Sequence, residues 1–162
     1  MKIITDLSKG SLVIRDALFP VSCHVRSYSG GSRASHEVVR SIPGNFPYDP
    51  KPFPKGLWEI TGIEWQKDKG FDLQTYGPVK IRTNAWQSVN IWELDNDGDY
   101  KTETSRQARD EGYLLHYSNS RTTLGCIRLA SPKDAEEIAG IVQRVLNNGE
   151  QVLLEVSGGA YE

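Results

Sequence analysis

The sequence predicts a mainly β domain with one C-terminal helix, an α+β arrangement. Three observations carry this. Apolar residues from 1 to about 120 recur mostly at two-residue spacing, turn residues interrupt them often, and a long three- and four-residue apolar period appears only after residue 131. At 162 residues, 38% apolar and 25% charged, the chain fits one domain with its own core, and no internal repeat or linker divides it.

The predicted strands, in order, are "SLVIR" (11–15), "FPVSCHVRSY" (19–28), "LWEITGIEW" (57–65), "VKIRT" (79–83), "SVNIWEL" (88–94) and "YLLHYS" (113–118), each alternating well enough to be half-buried. Residues 42–56 hold five prolines and two glycines, which forbid helix and disfavour a central strand. This stretch reads either as a cover for a site or as a surface connection. In "LDNDGDYKTE" (94–103), Asp95, Asp97 and Asp99 alternate as in a calcium loop, but the sixth and twelfth positions hold Tyr100 and Arg106. A tight turn at Asp97-Gly98 fits better.

The helix is expected over about 132–147. Ser131 is its N-cap, Pro132 its first residue, and Asp134 complements its positive end. Ile138, Ile141, Val142, Val145 and Leu146 form its apolar face, and Asn148-Gly149 ends it. "QVLLEVS" (151–157) then reads as a final strand.

Charge and composition exclude several functions. The 19 basic residues are scattered among 21 acidic ones, for a net charge of -2, so no basic patch exists for nucleic acid. No window approaches the roughly 18 consecutive apolar residues of a membrane span. The opening segment is broken by Asp6, Lys9, Arg15 and Asp16, so no export signal is visible. Two cysteines, Cys23 and Cys126, make no disulfide framework and leave one optional bridge.

Chemistry concentrates in residues 113–130. "YLLHYS" and "CIRLA" are read as antiparallel strands joined by "NSRTTLG", with the turn centred near Arg121. A symmetric register would oppose His116 and Cys126 directly, with Cβ atoms about 4.5–5.5 Å apart. Alternation places Cys126 and Arg128 on one face and Ile127 and Leu129 on the core face. A neighbouring Arg and His favour thiolate over thiol, and Gly125 permits a tight turn whose amides could bind an oxyanion. The same residues also fit a small core cysteine beside a satisfied histidine.

"LGCIRL" with an upstream His resembles the signature of the L,D-transpeptidase catalytic domain (YkuD-like), whose motif ends in Ser-His-Gly-Cys-Ile/Val-Arg. "FPKGLWEI", through Pro54, Gly56, Trp58 and Ile60, resembles that family's Pro-x-Gly-aromatic-x-Ile segment. The closing helix and last strand are similar too, so the resemblance covers roughly 53–157. It implies a mainly β sandwich with mixed sheets, Cys126 as nucleophile, His116 as general base, Gly125 in the oxyanion site and Arg128 supporting substrate. Thr123, Tyr117 and Asn119 are the accompanying substrate-side candidates. The implied activity is attack on the bond before D-Ala in a peptidoglycan tetrapeptide stem, with transfer to an amine or water. No metal or organic cofactor is implied.

Two departures stand out. Tyr117 follows His116 where the family usually has Gly, and Thr123-Leu124 replace its Ser-His pair. The short His-to-Cys interval, "SYSGG" (27–31) and the Pro-rich loop resemble the type VI secretion effector branch. That branch implies a secretion apparatus and an immunity protein as partners, and action in the periplasm or wall of a target cell. Thr123, Asn119 or a main-chain carbonyl would orient His116, since a Cys-His pair needs a third group to fix its tautomer. Competing readings are a cysteine hydrolase pairing Cys23 with His116, a zinc hydrolase using His24, His36 and His116, and an inactive cell-wall-binding or phage-associated domain of the same fold.

Overall fold

The computed structural model describes residues 1–25, 48, 50–91 and 106–159. The strands are β1 (Lys2–Asp6), β2 (Ser11–Ile14), β3 (Ala17–Ser22), β4 (Gly56–Trp65), β5 (Val79–Thr83), β6 (Gln87–Ile91), β7 (Arg106–Asp110), β8 (Leu114–Tyr117), β9 (Ile127–Leu129) and β10 (Leu153–Ser157). Two one-turn helices, α1 (Gln66–Lys69) and α2 (Leu73–Tyr76), precede β5, and α3 spans Pro132–Asn147. The fold is therefore mainly β with one long C-terminal helix. The "SYSGG" segment, the 94–103 segment, His36 and most of the Pro-rich stretch before Pro50 lie outside the described residues.

Eight strands close in the order β1-β10-β4-β5-β8-β9-β3-β2. They form two sheets that share β3 and β4, so the sandwich is a closed barrel without a free edge. β4 makes one corner: Gly56–Glu59 pairs with β10, and Ile60–Trp65 pairs with β5 after a register shift between Ile60 and Gly62. β6 and β7 form a separate ribbon with a small cluster of Tyr48, Val89 and Ile91.

The main core takes alternate residues from the strands, including Ile3, Leu12, Ile14, Ile81, Leu115, Ile127, Leu129 and Leu154. α3 packs on β4, β5, β8 and β9 through Ala135, Ile138, Ala139, Val142 and Val145. Its start is capped as the sequence dictates, with the Ser131 hydroxyl accepting from the Asp134 N–H at 3.1 Å. Gly149, at φ +77°, supplies the left-handed exit. Ile141 and Leu146 are only partly buried, so the core-facing stripe is narrower than the apolar period.

The expected hairpin between residues 113–118 and 126–130 is overturned. β8 and β9 run parallel, with Leu115 beside Ile127, His116 beside Arg128 and Tyr117 beside Leu129. Their directions are set from outside the pair: β5 binds β8 antiparallel and β3 binds β9 antiparallel. Residues 118–126 therefore form a crossover that returns to the starting end of the sheet, not a reversing turn. β1 and β7 were not among the expected strands.

Candidate active site

The parallel register moves His116 off Cys126 and sets it against Arg128, with Lys80 of β5 on its other side. Cys126 immediately precedes β9 and lies two residues from Arg128, so it shares that face and sits diagonally from His116. Both side chains line one pocket of about 370 Å³. Ile127 and Leu129 are fully buried on the opposite face, as alternation requires. The two residues thus meet through a crossover and a diagonal, where a hairpin and a direct pair were expected.

His116 is only 4% exposed. Its Nδ1 lies 2.7 Å from the main-chain carbonyl oxygen of Tyr117. A carbonyl can only accept, so the neutral ring carries its proton on Nδ1 and Nε2 is the basic nitrogen. The Tyr117 main-chain carbonyl thus orients His116, as one of the three expected alternatives would have it. Tyr117 serves the site through that carbonyl, while its ring packs against the core and under the Arg128 guanidinium at 5.4 Å.

Cys126, 6% exposed, accepts a hydrogen bond at Sγ from the Leu114 N–H at 3.4 Å, a contact that stabilises negative charge on sulfur. Thr123 organises the loop before it. Its hydroxyl donates to the Cys126 carbonyl at 2.9 Å and accepts the Gly125 N–H at 3.2 Å. The Gly125 amide, expected at an oxyanion, is thereby directed to Thr123. Gly125 matters instead for shape: at φ +118°, a Cβ there would fall 2.4 Å from the Lys51 carbonyl oxygen and 2.7 Å from the Tyr113 ring.

Arg128 is also structural in its contacts. Its Nε donates to the Ser118 carbonyl at 2.8 Å, fixing the start of the crossover, and it does not line the pocket. The Ser118 and Ser120 hydroxyls accept from the Ser120 and Thr122 N–H groups, so the crossover supplies its own backbone partners. The Asn119 N–H donates to the Gln74 carbonyl at 3.0 Å, and Asn119 lines the pocket together with Thr123. Thr75 and Tyr76 of α2 form a wall that the sequence reading missed. The signal was there in Asp72, whose carboxylate caps α2 by accepting from the Gln74 N–H.

Cys23 answers the first competing reading. Its thiol donates to the Gly125 carbonyl and accepts from the Phe53 N–H, both at 3.4 Å, and burial, with the neighbouring Cys126, pushes it up to about 11. A buried thiol with both its hydrogen bonds made to the main chain has the setting of a structural cysteine. Both cysteines are free. Among the described residues, no group of three or more His, Cys, Asp or Glu side chains is disposed to hold a metal ion.

Residues 28–153 match the family model of the L,D-transpeptidase catalytic domain, YkuD. The chain belongs to the L,D-transpeptidase catalytic domain family. The match starts earlier than the motifs around Pro54 and includes β8, the crossover and β9. Comparison with curated proteins yields no match. Among solved structures the domain is similar to that of Bdellovibrio bacteriovorus Bd1075, at 12% identity and a TM-score of 0.42. The similarity covers 94% of this chain and 46% of that one, so this chain spans less than half of that chain's length. No helix among the described residues is long and apolar enough to cross a membrane.

Proposed function

We propose that this L,D-transpeptidase-family domain performs cysteine acyl transfer on peptidoglycan tetrapeptide stems. The observation that carries the reading is the shared pocket of Cys126 and His116, with the imidazole held in the Nδ1–H tautomer by the Tyr117 carbonyl. Nε2 accepts the thiol proton as Sγ attacks the carbonyl before the terminal D-Ala. The tetrahedral intermediate collapses, the C–N bond breaks, and the departing amine takes the proton back from Nε2. The remaining thioester is attacked by an amine or by water that Nε2 deprotonates, giving transpeptidation or carboxypeptidation and freeing the thiol. We place the action in the periplasm or cell wall. Delivery into a target cell by a secretion apparatus remains part of this proposal, resting on the resemblance of the compact His-to-Cys interval.

The test is incubation with tetrapeptide-stem muropeptides, with and without an amine acceptor, scored by D-Ala release and cross-linked product. Wild type should release D-Ala and Cys126→Ala should not. No release from the wild type overturns the reading in favour of a non-catalytic wall-binding domain, and equal release from the two proteins overturns the role of Cys126 as nucleophile.

A further inference from the structure

The hydrogen bond to the Tyr117 carbonyl fixes one edge of the His116 imidazole. A base must be held in line with its proton donor, and a ring packed against the imidazole restricts its rotation further. We propose that Tyr76 is a positioning residue that supplies such a further constraint, on the acyl-transfer reading of the pocket. Its ring centroid lies 5.2 Å from that of the imidazole, tilted by 56°. The Tyr76 ring has further partners. The Lys80 ammonium sits 4.0 Å from the Tyr76 centroid and 4.4 Å from that of Phe71, and the two rings meet edge-on at 6.0 Å. Lys80 is also the β5 residue in register with His116, so the ammonium anchoring Tyr76 comes from the strand beside the imidazole.

The backbone around Tyr76 is tied to the residues flanking His116. Asp72 accepts from the Gln74 N–H and the Thr75 hydroxyl, fixing α2. The Gln74 carbonyl accepts from Asn119, beyond His116 in the chain. Gly77, at φ +70°, approaches Tyr117 so closely that a Cβ there would lie 2.9 Å from the Tyr117 Cβ. α2 therefore moves with the end of β8, and Tyr76 keeps its place over the imidazole.

The experiment compares Tyr76→Phe and Tyr76→Leu with wild type, leucine keeping bulk without an aromatic face. Turnover of the tetrapeptide stem gives kcat and KM; the rate of iodoacetamide alkylation of Cys126 and the 15N shifts of the His116 ring need no substrate. Leucine is expected to lower kcat about 10- to 100-fold with KM changed less than about threefold. It should also slow alkylation and move the ring nitrogens toward a mixture of tautomers. Phenylalanine should recover most of the lost rate, because it keeps the ring that lies against the imidazole. A folded Tyr76→Leu protein with wild-type alkylation and wild-type 15N shifts overturns the proposal. A wild type that releases no D-Ala defeats the acyl-transfer reading alone, since alkylation and the ring shifts still decide the role of Tyr76.

Discussion

Thr123→Val probes the loop that carries the nucleophile. The Thr123 side chain is 7% exposed, and its single hydroxyl serves two main-chain groups flanking the pocket, the Gly125 N–H and the Cys126 carbonyl. Valine has nearly the same shape, so packing is retained while both groups lose this partner. A buried main-chain group left unsatisfied costs about 1–3 kcal/mol, so the pair should cost about 2–6 kcal/mol, less where water enters. That is a large part of a typical domain's stability of about 5–15 kcal/mol. At about 2–4 °C per kcal/mol for a chain of this size, Tm should fall by roughly 5–20 °C. Urea unfolding should show a lower midpoint at an unchanged slope, because the surface exposed on unfolding is the same. Thr123→Ser keeps the hydroxyl and loses one methyl, about 1 kcal/mol. A valine variant no less stable than the serine variant would refute the assignment of this hydroxyl as the link between the two groups.

Gly125→Ala should be worse, about 3 kcal/mol or more, since the positive φ is strained for alanine and the clash partner is the main-chain Lys51 oxygen. Thermal denaturation checks it, and a melt within about 2 °C of wild type excludes the close approach. Cys23 gives a pH signature. Its folded pKa is raised to about 11 from 9.0, so its contribution is complete below about pH 9 and is lost as pH rises toward 11. The difference in stability between wild type and Cys23→Ala should shrink by roughly 2–3 kcal/mol across that window, about 1.4 per unit. A difference that is flat between pH 8 and about 11 would show that Cys23 is not held as a buried thiol.

Much of the fold was legible because its strands alternate. Ser11–Ile14, Gly56–Trp65, Val79–Thr83 and Leu114–Tyr117 lie within a residue of their expected bounds. β1, Lys2–Asp6, alternates too, with Ile3 and Thr5 buried, so its signal was present and unread. β7 gave no such signal. "RQARD" is polar because β7 is exposed at three of its five positions, and only pairing with β6 makes it a strand. The shared face of Cys126 and Arg128 followed from period two alone.

The linear order of residues by itself determined the alternation, the capped C-terminal helix and the chemical identities of a histidine and a Gly-Cys-Ile-Arg run. These are local properties, set by side-chain periodicity and by backbone groups within a few positions of one another. Only the tertiary structure decided that β8 and β9 run parallel, because strand direction depends on the outer partners β5 and β3, which lie far away in the chain. The same long-range packing brought Tyr76 of α2 against the imidazole of His116. A hydrogen-bond partner or a ring contact depends on distance in space, and spacing along the chain does not encode it.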